Sequence, residues 1–265
     1  MTGFRGFACC LLSFPFVLTL PLACHAQSKA PLMARCSNGS AALTSVHDLR
    51  IPEKALAACR KGTQLFTAKD SAGSIAEFQK AIKIFPDYYE AYSKLGAAEL
   101  DLDHWEHAES DFRKSLELSQ ERYAPADFGL GLILATVEKR FAAAESVVQD
   151  GLALEPNDVT GRFVLAWVFY CTSRLREAEQ NAIQALQFAP KFAGAQLLLA
   201  QIHLGEHNLP AAIDDMNTYL SFGAGSPLYA KVQEVRTQAL RELSLQREAT
   251  AVSQTADSGK RFDSN

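Results

Sequence analysis

Residues 74–86 read Ser74-Ile75-Ala76-Glu77-Phe78-Gln79-Lys80-Ala81-Ile82-Lys83-Ile84-Phe85-Pro86. Ser74, Phe78 and Ala81 are spaced to share one face of a helix. Pro86 then stops that helix, because proline has no backbone N–H to continue the hydrogen-bond ladder. The same landmarks return along the chain. The small residue recurs as Ala108, Ala144, Ala178 and Ala212, at intervals of 34 residues with two extra between the second and third units. The position of Phe78 is taken by Phe112, Val148, Ala182 and Met216, and that of Ala81 by Ser115, Gly151, Ala185 and Tyr219. Proline closes the unit again at Pro156 and Pro190, with Gln120 and Ala224 in the equivalent places.

Upstream of each such helix lies a second recurrent pair: Lys61-Gly62, Leu95-Gly96, Leu130-Gly131, Leu165-Ala166 and Leu199-Ala200. Small residues on both helices of a unit permit close backbone approach, and the larger residue beside them fills the gap to the next unit. A helix pair of this size cannot bury its apolar face alone, so several must stack into one continuous core.

These residues resemble the tetratricopeptide-repeat (TPR) family over about residues 52–222, most clearly from Ala76 to Pro86 and from Ala178-Glu179 through Ala185-Leu186 to Pro190. The resemblance implies an all-α fold: a right-handed TPR superhelix, or α-solenoid, of about five helix-pair repeats. Lys61, where a large apolar residue is usual, and the missing prolines of units two and five depart from the pattern. The expected organisation is a signal peptide at 1–26, a linker at 27–51, five units at 52–224, a capping helix at 225–246 and a disordered tail at 247–265. The cap is read from Leu228, Val232, Val235, Ala239 and Leu243, which keep a helical period after Ser226-Pro227.

By the same resemblance the first helix of each pair lines the concave side. Phe66, Leu100, Phe163, Trp167, Tyr170 and Gln201 are then the candidate groove residues. The groove is mostly apolar, with an aromatic cluster in unit four, and suits a protein or peptide segment that presents large side chains. Packing of Phe163, Trp167 and Tyr170 against neighbouring helices alone is the competing reading. The Lys/Asn/Arg set by which chaperone-binding members grip a C-terminal carboxylate is not apparent, since Arg60 and Lys94 lie one position off the inner line.

The N-terminus has a different composition. Arg5 is the only charge before Lys29, and an apolar run from Phe7 to Leu22 leads to Cys24-His25-Ala26. Basic residue, apolar core and small-x-small site form a secretory signal, with cleavage expected before Gln27. Two prolines interrupt the run, which argues against a permanent span. Leu20-Pro21-Leu22-Ala23-Cys24 also looks like a degraded lipobox, which would make Cys24 a lipid anchor. The chain is therefore expected to be exported, either periplasmic or outer-membrane-associated or secreted. Cleavage leaves Cys36, Cys59 and Cys171. Cys36 and Cys59 are the candidate disulfide, with three free thiols as the alternative.

The formal net charge is −4, and Lys and Arg are spread along the chain. That distribution does not suit nucleic-acid backbone binding or an anionic lipid surface. Chemical motifs are few. His203-Leu204-Gly205-Glu206-His207 matches the H-x-x-E-H zinc motif. In the repeat frame, however, His207 falls in a turn and His203 takes the inter-helix position of Leu65 and Phe169. The run from Asp101 to His107 is dense in ligand types but occupies a solvated turn. Gly129-Leu130-Gly131 lacks the strand and third glycine of a dinucleotide loop, and Asn38-Gly39-Ser40 fits a glycosylation triplet. No catalytic, metal or cofactor residue is assigned. The sequence reads as an exported TPR scaffold or adaptor for protein–protein interaction in envelope assembly, secretion or cell-wall processes. Its alternatives are a zinc-dependent hydrolase and a structural, self-associating lipoprotein.

Overall fold

We describe residues 50–262 from a computed structural model, with side chains as far as residue 250. The expected signal peptide, the lipid-anchor candidate Cys24, the disulfide candidate Cys36, the Asn38 triplet and the expected linker up to residue 49 lie outside the described residues.

The described chain is an all-α solenoid. Its helices are α1 (Glu53–Thr67), α2 (Ser71–Ile84), α3 (Tyr89–Asp101), α4 (Trp105–Ser119), α5 (Ala124–Thr136), α6 (Phe141–Leu154), α7 (Val159–Cys171), α8 (Leu175–Phe188), α9 (Ala193–Gly205), α10 (Leu209–Phe222) and α11 (Tyr229–Phe262). They pair in sequence as the five expected units plus a C-terminal helix.

The turn within each unit is built on one plan, with one extra residue in unit three. One residue, Lys69, Asp103, Lys139, Ser173 or His207, sits in the left-handed region with φ between 54° and 65°. The next N–H reaches back to a carbonyl of the preceding helix: Asp70 to Leu65, His104 to Glu99, Arg140 to Leu134, Arg174 to Phe169 and Asn208 to His203. This ending satisfies carbonyls that the helix would otherwise leave unpaired. Side chains then cap some of the helices that follow. Asp70 accepts from the Gly73 N–H, and Asn208 from that of Ala211.

Close approach explains the repeated Gly or Ala. A Cβ added to Gly62 would lie 2.7 Å from the Phe78 ring, and one added to Gly131 would lie 2.3 Å from Val148. Where the second helix carries Ala182 or Met216 instead, the equivalent first-helix residue is Ala166 or Ala200. Size is thus traded in four of the five pairs, and the flexible Met216 side chain accommodates Ala200 in the fifth. Unit two has no proline and ends instead on two left-handed residues, Gln120 and Glu121. Unit five ends near Gly225, whose φ is +88°.

One boundary differs from the expectation. The capping helix was expected to end at residue 246 and be followed by a disordered tail, but α11 runs on to Phe262. Residues 247–258 contain neither glycine nor proline, and polar composition alone does not stop a helix that lacks a breaker. Val232 and Ala239 anchor its first half on the core. Among the described residues no helix is long and apolar enough to cross a membrane.

Candidate functional site

The first helices, α1, α3, α5, α7 and α9, each touch the next first helix as well as their own partner, so they form one continuous layer. The second helices stand outside that layer, each between its own first helix and that of the next unit. This arrangement makes the first helices the inner wall of the solenoid.

The candidate groove residues lie on that wall, more enclosed than an open groove would leave them. Phe163 and Trp167 are 9% and 6% exposed and Gln201 is 9% exposed, whereas Leu100 and Tyr170 are half-buried and Phe66 is buried. Phe163 meets Phe192 edge-on with centroids 5.1 Å apart, so it ties α7 to the start of α9. Trp167 and Tyr170 lie 5.8 Å apart on the same helix. Trp167 and Gln201 occupy the same position of successive repeats. Neither the Trp167 Nε1 nor either amide atom of Gln201 has a hydrogen-bond partner. Sequence periodicity alone does not reveal that pairing of unsatisfied groups. Aligning positions one repeat apart sets Trp167 beside Gln201, but only the structure shows their polar atoms unpaired. Cys59 is buried on α1, and Cys171 is half-buried with its thiol pushed up to about 11 by burial.

A second set of polar groups lies between the two helices of each unit. Three residues after the small residue of the first helix stand Leu65, Glu99, Leu134, Phe169 and His203. Three after that of the second helix stand Glu77, Asp111, Val147, Asn181 and Asp215. Four of these five second-helix positions are polar, and most meet a complement. Lys61 Nζ lies 2.5 Å from Glu77 Oε1, and Arg162 donates to Asn181. In unit five His203 Nδ1 is 2.6 Å from Asp215 Oδ2, its Nε2 is 3.3 Å from Glu179, and Gln196 donates to Asp215 at 2.8 Å.

Unit two is different. Glu99 is 7% exposed and faces Asp111, so two carboxylates meet where unit five has an imidazole and a carboxylate. Burial, and then the negative charge of Glu99, push the Asp111 carboxyl up to about 7. His104 Nδ1 sits 2.7 Å from Glu99 Oε2, and the His104 and His107 rings are 6.1 Å apart. In unit three, Asp127 is buried with Oδ2 unpaired. Burial, Glu121 and Asp150 push its carboxyl up to about 7.

This geometry also bears on the H-x-x-E-H motif. Helix α9 ends at Gly205, and His207 falls in the left-handed turn with φ 57°. His203 points instead into the seam with Asp215 and Glu179. Among the described residues His203, Glu206 and His207 do not converge as a ligand set.

No protein-family model and no curated protein matches the sequence. Solved structures do. A thermophilic TPR protein of Thermus thermophilus, TTC0263, is 19% identical with a TM-score of 0.59, over 70% of this chain and 98% of that one. The chain has the TPR fold. PilW, a type IV pilus biogenesis factor, is 18% identical with a TM-score of 0.60, over 75% of this chain and 94% of that one. The anaphase-promoting-complex assembly Cut9–Hcn1 aligns over 86% of this chain and 41% of the matched chain, at 16% identity and a TM-score of 0.65. With the TPR frame in place, the layer of first helices is the wall on which α7 and α9 carry the candidate groove residues.

Proposed function

We propose that this TPR protein is an exported scaffold that holds a segment of another protein against its inner wall. The observation that carries the reading is the pair Trp167 and Gln201, one repeat apart on adjacent inner helices. Their polar atoms are unsatisfied, and a buried donor or acceptor left unmade costs on the order of 1–3 kcal/mol. These atoms are closed to solvent in the free chain, so a peptide backbone along α7 and α9 reaches them only as the two helices part, and then supplies a carbonyl for the indole N–H and a donor and acceptor for the amide. Phe163 and Tyr170 on the same helix add apolar area beside it. The signal-like N-terminus supports an envelope setting, and the likeness to a pilus biogenesis factor is consistent with that setting. Lipid attachment at Cys24 would fix the scaffold to a membrane surface.

The test is affinity capture from a native envelope extract, using the wild-type chain and a Trp167→Phe/Gln201→Leu variant as baits. Gln201→Leu keeps side-chain volume and removes the unpaired amide, whereas Trp167→Phe removes the indole N–H together with part of a buried ring, so helical circular dichroism and melting must first show that the variant is folded. A partner retained by wild type and lost by the folded variant supports the reading. Equal retention by both baits places the contact elsewhere on the molecule.

A further inference from the structure

The repeats of one chain act as controls for each other, and unit two stands apart. At the inter-helix position where units one, three and four carry Leu65, Leu134 and Phe169, unit two carries Glu99. A carboxylate at an inter-helix site is costly without a compensating charge. Lys61 and His203 supply that charge to Glu77 and Asp215 in units one and five. In unit two Glu99 meets a second carboxylate, Asp111, and no Lys or Arg of the described residues forms an ion pair with either. Two imidazoles are there instead. His104 follows the left-handed turn residue Asp103, and its Nδ1 reaches back to Glu99. His107 stands one turn before Asp111 on α4. Donor atoms of Glu99, His104 and His107 all lie within 4.8 Å of one another.

We propose that Glu99, His104 and His107 form a zinc-class cation site, its fourth position left to water, that clamps the end of α3 to the start of α4. Two imidazoles with carboxylate oxygen suit zinc and its borderline neighbours rather than calcium or magnesium, which prefer all-oxygen shells. A tetrahedral zinc with bonds of about 2.0–2.2 Å holds its donors about 3.3 Å apart, so rotamer adjustments on the scale of the observed spacing assemble the shell. The two histidines are exposed and Glu99 is buried, so the cation enters from solvent and rests on an anchored carboxylate. In the other units the equivalent of His107 is Gly73, Ala143, Glu177 or Ala211, so no other unit can repeat the set.

The test uses the full chain without an affinity tag, stripped with EDTA, dialysed free of chelator, kept reduced and titrated with zinc chloride by calorimetry and thermal melting. The comparison is a His104→Ala/His107→Ala variant, whose changes fall on exposed side chains but remove the His104 contact to buried Glu99, so its helical circular dichroism and its melting in EDTA are measured first and Glu99→Leu serves as a second comparison. Wild type should take up one zinc ion per chain at micromolar concentration and melt higher with zinc. The variant should bind at least ~100-fold more weakly and show no zinc-dependent rise. His207→Ala should behave as wild type. Equal binding by wild type and the double variant, no binding by wild type, or an equal response to magnesium would each overturn the proposal.

Discussion

Units two and five place charged groups at the same two positions of the same helix pair, yet they solve the electrostatics differently. Unit five sets His203 against Asp215, with Gln196 and Glu179 completing the hydrogen bonds. Unit two sets Glu99 against Asp111 and leaves the balancing charge to whatever cation His104 and His107 hold. The backbone is nearly the same in both, down to the left-handed turn residue. A TPR unit therefore tolerates a polar seam, and the identity of two side chains decides whether the seam is self-contained.

The largest effect should come from breaking the self-contained seam. Asp215→Ala leaves Gln196 and His203 without their shared acceptor and should lower stability by about 3 kcal/mol near pH 6, read from denaturant melts. Burial works against a charged imidazole at His203, but the hydrogen bonds to Asp215 and Glu179 outweigh it and hold its pKa above the usual value. A raised histidine contributes fully below its unfolded pKa, and the contribution fades as pH rises through the folded pKa. Besides these two, Asp214 is the charged group near the pair. The gap between wild type and Asp215→Ala should therefore shrink from pH 6 to pH 9. A constant gap would mean that the pair acts as a neutral hydrogen bond.

Unit three extends the comparison, because it carries a carboxylate with no complement at all. Asp127 takes the place of Arg162 and Gln196 in the repeat frame, but the facing position is Val147 rather than an amide or acid. Burial first, then Glu121 and Asp150, push its carboxyl up to about 7. The folded state thus binds a proton that the unfolded state has lost between about pH 4 and pH 7, so stability falls as pH rises across that window. Asp127→Asn removes this slope and should stabilise the chain by about 2 kcal/mol at pH 8, with little effect at pH 4. Melting curves at the two pH values check it.

The repeat itself was legible because it rests on steric landmarks that a sequence must display: Gly62 beneath Phe78, Gly131 beneath Val148, Ala182 with Ala166. The end of α11 was not, since Arg247 to Ser258 holds no residue that forbids helix and none that demands it. The inner-wall positions on α7 and α9 followed from the repeat frame, but burial of Phe163 and Trp167 depends on how tightly successive first helices approach, which spacing does not encode. The Asp101–His107 run read as a solvated turn, and all of it but Asp101 is exposed, although the turn itself spans only Leu102 to His104. What the run could not show alone is that Glu99, two residues before it, turns inward toward Asp111 and carries His104 with it. Only the equivalence of Glu99 with Leu65, Leu134 and Phe169 marks that carboxylate as out of place.

The smallest effect is also the one that separates the two seams most sharply. Glu99→Leu gives unit two the residue type of units one and three, removing the carboxylate that opposes Asp111 together with its contact to exposed His104. In EDTA this change should stabilise the chain by about 1 kcal/mol, because a buried like-charge pair is replaced by apolar burial. With zinc present the order should reverse: wild type rises with its ligand set intact, while the variant keeps two exposed imidazoles and gains little. Asp215→Ala in unit five shows no such inversion, because its partners are all protein groups. If Glu99→Leu proves destabilising in EDTA, then Glu99 earns its place through His104 and the turn rather than through a cation. The two seams would then differ in composition but not in kind.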